Sequence, residues 1–91
     1  MKVLGYQYTI DDNRDSDDLR GLGEFNDKQQ IIRVASDASP QIKLSAVLHE
    51  VIEALNFHLE LKLEHQAITG LESGLYQVLI DNGVDLTPLF P

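Results

Sequence analysis

Cysteine and tryptophan are absent from the 91 residues, and methionine occurs once. Without cysteine, neither a disulfide framework nor a cysteine-ligated zinc knuckle is available. That fits a reducing compartment. Basic residues are scarce: seven Lys and Arg stand against fifteen Asp and Glu, a net charge of −8. The seven are scattered, so the clustered cations that neutralise a nucleic-acid backbone are missing. No nucleic-acid partner is expected. Acidity of this kind favours solubility and suits a basic protein surface as partner, and it says nothing about chemistry. No run of 18 apolar residues occurs, so no transmembrane helix and no membrane partner are expected. The N-terminus lacks the basic-then-apolar pattern of a secretory leader. The expected location is cytoplasmic.

What is present suits one small globule. The hydrophobic fraction is 43%, and the length allows a single domain over residues 1–91. Residues 2–10, "KVLGYQYTI", place Leu4, Tyr6, Tyr8 and Ile10 on one face at strand period. "DDNRDSDD", residues 11–18, reads as a solvated polar loop. Asp11, Asn13 and Asp15 match the start of a calcium loop, but Ser16 replaces its sixth-position glycine and Leu22 its twelfth-position glutamate. Calcium is rejected. From Gly23 to Val34 a hairpin is expected, with Asn26 and Asp27 supplying the turn and Ile31–Val34 the return strand.

Ser39 and Pro40 predict a helix start, as N-cap and first helical residue. Its apolar stripe is Leu44, Leu48, Val51, Ile52, Leu55 and Leu59, running to about Glu60. A second helix is expected from about His65 to Asn82, with the stripe Ile68, Leu71, Leu75, Val78 and Leu79 and a left-handed stop at Gly83. The expectation is an α+β domain: strands and hairpin over 1–38, two packed helices over 39–83, an extended tail over 84–91. The sheet is expected to be short and antiparallel, with about three strands.

The first helix also carries a polar stripe. His49 and Glu53 sit about 40° apart in projection. Asn56 and Glu60 fall within about 20° of His49. Ligands at i and i+4 grip one metal ion because side chains one turn apart project together. Any amphipathic helix has a polar face, and on this helix alone solvation is the favoured reading. Glu72 shifts the balance, because it falls within or beside the apolar stripe of the second helix. A carboxylate buried without a partner is costly, so such groups are paired or bound to metal. Glu72 can serve as third ligand, or pair with His49 or Tyr76. His65 is the alternative third ligand, near the connection between the helices. His58 lies almost opposite His49, cannot share that site, and borders the core.

Taken together, "VLHEVIEALN" and "LESGLYQVLIDN" resemble segments of the minimal zincin-like proteins of the ImmA/IrrE type, including short phage and prophage forms. The resemblance runs from about Gly23 to Asn82. "LGEFNDKQQIIRV" is similar to the family's hairpin and following strand. The resemblance implies a zincin-like fold and a metal-dependent hydrolase of metallopeptidase type acting on a peptide or protein. It implies His49, Glu53 and Glu72 as metal ligands, and Glu50 as the general base that activates water. Glu53 departs from the pattern, since H-E-x-x-H has histidine there. One nitrogen and two oxygens would weaken zinc and favour a harder cation such as manganese. The alternative is a zincin-like interaction module without catalysis. No residue specifies the oligomeric state.

Overall fold

The alternation over residues 2–10 breaks at Leu4 and Gly5, whose φ values of 52° and 84° are those of a tight hairpin turn. The structure, a computed structural model, describes residues 1–89. The turn divides the expected single strand into β1 (Lys2–Val3) and β2 (Tyr6–Gln7), an antiparallel pair, followed by β3 (Thr9–Asp11). Leu4 and Tyr6 are consequently exposed, while Val3 and Tyr8 enter the core.

The acidic segment is not wholly a loop. Ser16–Leu19 forms one helical turn, α1, because Asp15 accepts a hydrogen bond from the Asp18 amide. Asp37 accepts from both the amide and the hydroxyl of Ser16, at 2.8 and 2.7 Å, and so ties α1 to the chain before the long helix. Those two bonds hold the Asp37 carboxyl below its ordinary value.

β4 (Gly23–Asn26) and β5 (Ile31–Val34) form the expected antiparallel hairpin, its turn held by the Gln29 amide donating to Asn26. The sheet itself departs from expectation. β5 lies in the centre and pairs parallel with β3, giving a mixed sheet of order β3-β5-β4 rather than an antiparallel one. Composition accounts for the centre. Three of the four residues of "IIRV" are β-branched, and Ile32 and Val34 are buried completely, whereas β4, with Gly, Glu and Asn, suits an edge.

α2 (Pro40–Leu59) begins where Ser39 caps the Ile42 amide and ends at Glu60 in the left-handed conformation. α3 (His65–Asp81) ends in paired bonds, Val84 amide to Leu79 carbonyl and Gly83 amide to Ile80 carbonyl, with Gly83 at φ 75°. That is the Schellman closure, and it needs a residue tolerant of positive φ. The tail is not simply extended: Leu86 is buried and Thr87–Leu89 form a 3-10 turn. Phe90 and Pro91 lie outside the described residues. No helix among the described residues is long and apolar enough to cross a membrane.

Of the expected apolar stripe of α2, Ile52 is buried and Val51 and Leu55 pack against the core, while Leu44 and Leu48 are half-buried and Leu59 is exposed; the deepest face is made by Ala46, Val47, Glu50 and Ala54. The small alanines let α2 approach the sheet, where Ala54 joins Val3, Tyr8 and Ile32, and Ala46 and Val47 join Val34. On α3 only Ile68 is fully buried; Leu71, Leu75 and Val78 are exposed. Replacing Ile32 with alanine should cost about 2–5 kcal/mol, because the central strand cannot collapse onto the vacated space. Leu59→Ala should change stability by no more than about 0.5 kcal/mol. Urea melts of both variants check this, and similar losses would contradict the packing of α2 on β5.

Candidate metal centre

The polar stripe of α2 does not face water alone. Ser45 meets Glu72 and Asn56 meets Leu63, so α3 returns antiparallel to α2 along this stripe. Asn56 organises the return: its side-chain oxygen accepts from the Leu63 amide at 2.8 Å, and its amide group donates to the Leu63 carbonyl. Glu60 and Lys62 reverse the chain at φ values of 53° and 59°. This tight connection carries His65 back over His49.

The two imidazole rings lie 5.3 Å apart between centroids. His49 Nε2 faces Glu53 Oε1 at 3.8 Å, one helical turn along. On the opposite edge of the ring, His49 Nδ1 is 3.0 Å from Glu72 Oε1, and Glu72 Oε2 accepts from the Ser45 hydroxyl at 2.6 Å. A carboxylate only accepts hydrogen bonds, so Nδ1 is the donor and a neutral ring keeps its lone pair on Nε2. That lone pair points to the Glu53 side.

Among the described residues, His49, Glu53 and His65 each offer one ligand atom, all within 4.8 Å of one another. Tetrahedral zinc holds nitrogen and oxygen ligands roughly 3.3–3.6 Å apart, given its bond lengths. The spread here is wider, and an ion would need rotation of Glu53, which is half-buried, or of His65, which is exposed. The donor set fits the group: two imidazoles and one carboxylate is a catalytic zinc combination. Of the two candidates for the third position, it is His65 that joins the cluster. Glu72 sits on the far nitrogen of His49 instead, where a carboxylate orients a ligating histidine.

Glu50 is 7% exposed. Burial, and then the neighbouring charges of Glu53, Glu24 and Glu72, push its carboxyl up to about 8 from 4.5. Its partner in packing is Gly23, at the start of the edge strand. A Cβ there would stand 3.0 Å from Glu50 Oε2 and 3.1 Å from the Arg33 carbonyl. A side chain there would have to displace the Glu50 carboxyl or the strand by a few tenths of an ångström, so glycine suits this close approach. Sequence reasoning missed this residue, although a glycine within a strand is the ordinary mark of a close approach.

Gly21–Gly23 form one wall of an open cleft of about 580 Å³, Thr69 and Glu72 of α3 the other, with His49 and Glu50 on the floor. His58 is elsewhere, as expected: Tyr8 hydroxyl and His58 Nε2 are 2.6 Å apart, and Tyr6 stacks on the ring at 4.4 Å.

Glu50 makes the metal-free domain sensitive to pH. A carboxyl raised from 4.5 to about 8 binds its proton more tightly folded than unfolded. Its contribution is therefore fully favourable below about 4.5 and is lost as pH rises through about 8. Glu50→Gln, which cannot ionise, should remove that slope and be the more stable protein at pH 9, by on the order of a few kcal/mol. Thermal melts in chelator across this range check it, and parallel curves for the two proteins would contradict the buried carboxyl.

Comparison with known protein families, with curated proteins and with solved structures finds no match to this chain.

Proposed function

We propose that this domain binds a divalent cation, zinc before manganese, and is a zincin-like metallopeptidase-type hydrolase acting on a peptide or protein. His49, Glu53 and His65 hold the ion, Glu72 fixes the His49 ring, and Glu50 takes the proton from water. The observation that carries this reading is the convergence of the three ligand atoms with a carboxylate on the far nitrogen of His49. A bound cation supplies Lewis acidity and lowers the pKa of water in the cleft. Glu53 stands where the resembled motif has histidine, and His65 restores the second imidazole from the other helix. The donor set then suits zinc better than one nitrogen with two oxygens.

A second reading, a zincin-like interaction module that holds metal without turnover, also has a specific observation in its favour. Glu50 is packed against Gly23 and only 7% exposed at the cleft floor.

Calorimetric titration of chelator-stripped protein with zinc separates these outcomes. The expected result is one ion per chain, with His49→Ala and His65→Ala each abolishing binding. Glu72→Gln should weaken it by about 10–100-fold, as loss of an orienting carboxylate does. Binding that survives His65→Ala but not Glu72→Ala would instead make Glu72 the third ligand. No binding by the unaltered chain would overturn the metal reading. Hydrolysis of an unfolded protein substrate that Glu50→Gln abolishes supports the enzyme; metal binding without hydrolysis supports the module.

A further inference from the structure

Asn82 is set apart from the other asparagines, Asn13, Asn26 and Asn56, by its neighbour: it alone precedes a glycine. The pairing matters chemically. The backbone nitrogen that follows an asparagine can attack the carbonyl carbon of its side chain. Glycine leaves that nitrogen open, because it carries no Cβ beside it. Arg14, Asp27 and Phe57 shield the corresponding nitrogens of the other three with side chains. Asn56 is further protected, being half-buried with both ends of its amide bonded to Leu63. Asn82 and Gly83 are exposed, so water reaches both.

The fold puts this pair at the C-terminal closure of α3. Asn82 caps the helix at φ −100° and ψ 15°. Its side-chain amide donates to the Val78 carbonyl at 2.8 Å, and the Gly83 amide donates to the Ile80 carbonyl at 3.0 Å. The closed cap therefore restrains the attacking nitrogen and the leaving amide alike. The restraint is local. All the bonds of the closure lie within the last turn of α3 and Val84, and a Cβ built on Gly83 would meet nothing within 4 Å. A helix end held only by its own last turn opens at a small fraction of the cost of global unfolding.

We propose that Asn82 is a site of spontaneous covalent modification, at which the chain attacks itself and irreversibly breaks the closure of α3. When the cap opens, the Gly83 nitrogen gives up its proton to solvent and bonds to Asn82 Cγ. The Cγ–Nδ2 bond breaks and ammonia leaves, closing a succinimide ring. Water then adds to either ring carbonyl, and the ring opens to aspartate or to isoaspartate. No oxidant, reductant or metal takes part. Both products lose the donor to Val78 and add a carboxylate next to Asp81, at the negative end of the helix. Isoaspartate also lengthens the backbone by one carbon. The Gly83 and Val84 amides then cannot both return to Ile80 and Leu79, and buried Leu86 loses its fixed approach to the core.

Incubation of the whole chain at mildly alkaline pH, followed by peptide mapping with mass spectrometry, tests this. The same protein unfolded in guanidinium is followed in parallel. The expected result is conversion of Asn82 to a mixture of aspartate and isoaspartate while Asn13, Asn26 and Asn56 persist. The unfolded chain should react roughly tenfold faster or more, because the closed cap withholds the reactive conformer. Val84→Pro deletes one closing bond and leaves Asn82 and Gly83 in place. It should bring the folded rate toward the unfolded one. Asn82→Asp, which mimics one product, should lower the melting temperature of the fresh protein. Persistence of Asn82 in both conditions, equal folded and unfolded rates, or earlier loss of another asparagine would overturn the proposal. An Asn82→Asp protein as stable as the unaltered chain would overturn the claim that modification breaks the cap.

Discussion

The contact between His49 Nδ1 and Glu72 decides how α3 sits on α2. Both side chains are largely shielded from water, with relative exposures of 16% and 18%, so each needs a polar partner. Ser45 supplies the second bond to Glu72 and completes a short chain across the helix seam. Satisfying it fixes the rotation of α3 about its own axis. Glu72 lies about 100° from Leu71 and about 60° from Leu75 in projection. Turning Glu72 inward therefore turns those leucines outward. The bare face of α3 and the candidate metal centre follow from one choice of rotation.

The same choice places His65. With α3 antiparallel and its connection pinned by Asn56, the first residue of the helix returns to the level of His49. His65, twelve positions after Glu53, thereby comes within 4.8 Å of the ligand atoms of His49 and Glu53. Metal coordination depends on the convergence of donor atoms, and several chain paths can deliver the same two imidazoles and one carboxylate.

Glu50 shows what the close approach of helix and sheet demands. Ala46 and Ala54 bring α2 down on the sheet, and Gly23 leaves just enough room for a carboxyl beside the edge strand. Such a group is destabilising when ionised, so burial raises its affinity for a proton. The same carboxyl lies on the floor of the cleft between Gly21–Gly23 and α3.

Local signals in the sequence determined the elements. Ser39 and Pro40 start α2, Gly83 closes α3, and Asn26 makes the β4–β5 turn, because each acts on backbone within a few residues. Periodicity showed that His49 and Glu53 share a face, and that Glu72 points toward a neighbour. It did not show which neighbour a face meets. The apolar stripe of α2 left Ala46 and Ala54 out of the buried face, because hydrophobicity ignores how closely alanine lets a sheet approach. The parallel pairing of β3 with β5, the packing of Glu50 against Gly23 and the return of His65 to His49 all join residues distant in sequence. Those contacts are set by how loops close and which polar groups must pair, and tertiary structure alone decided them.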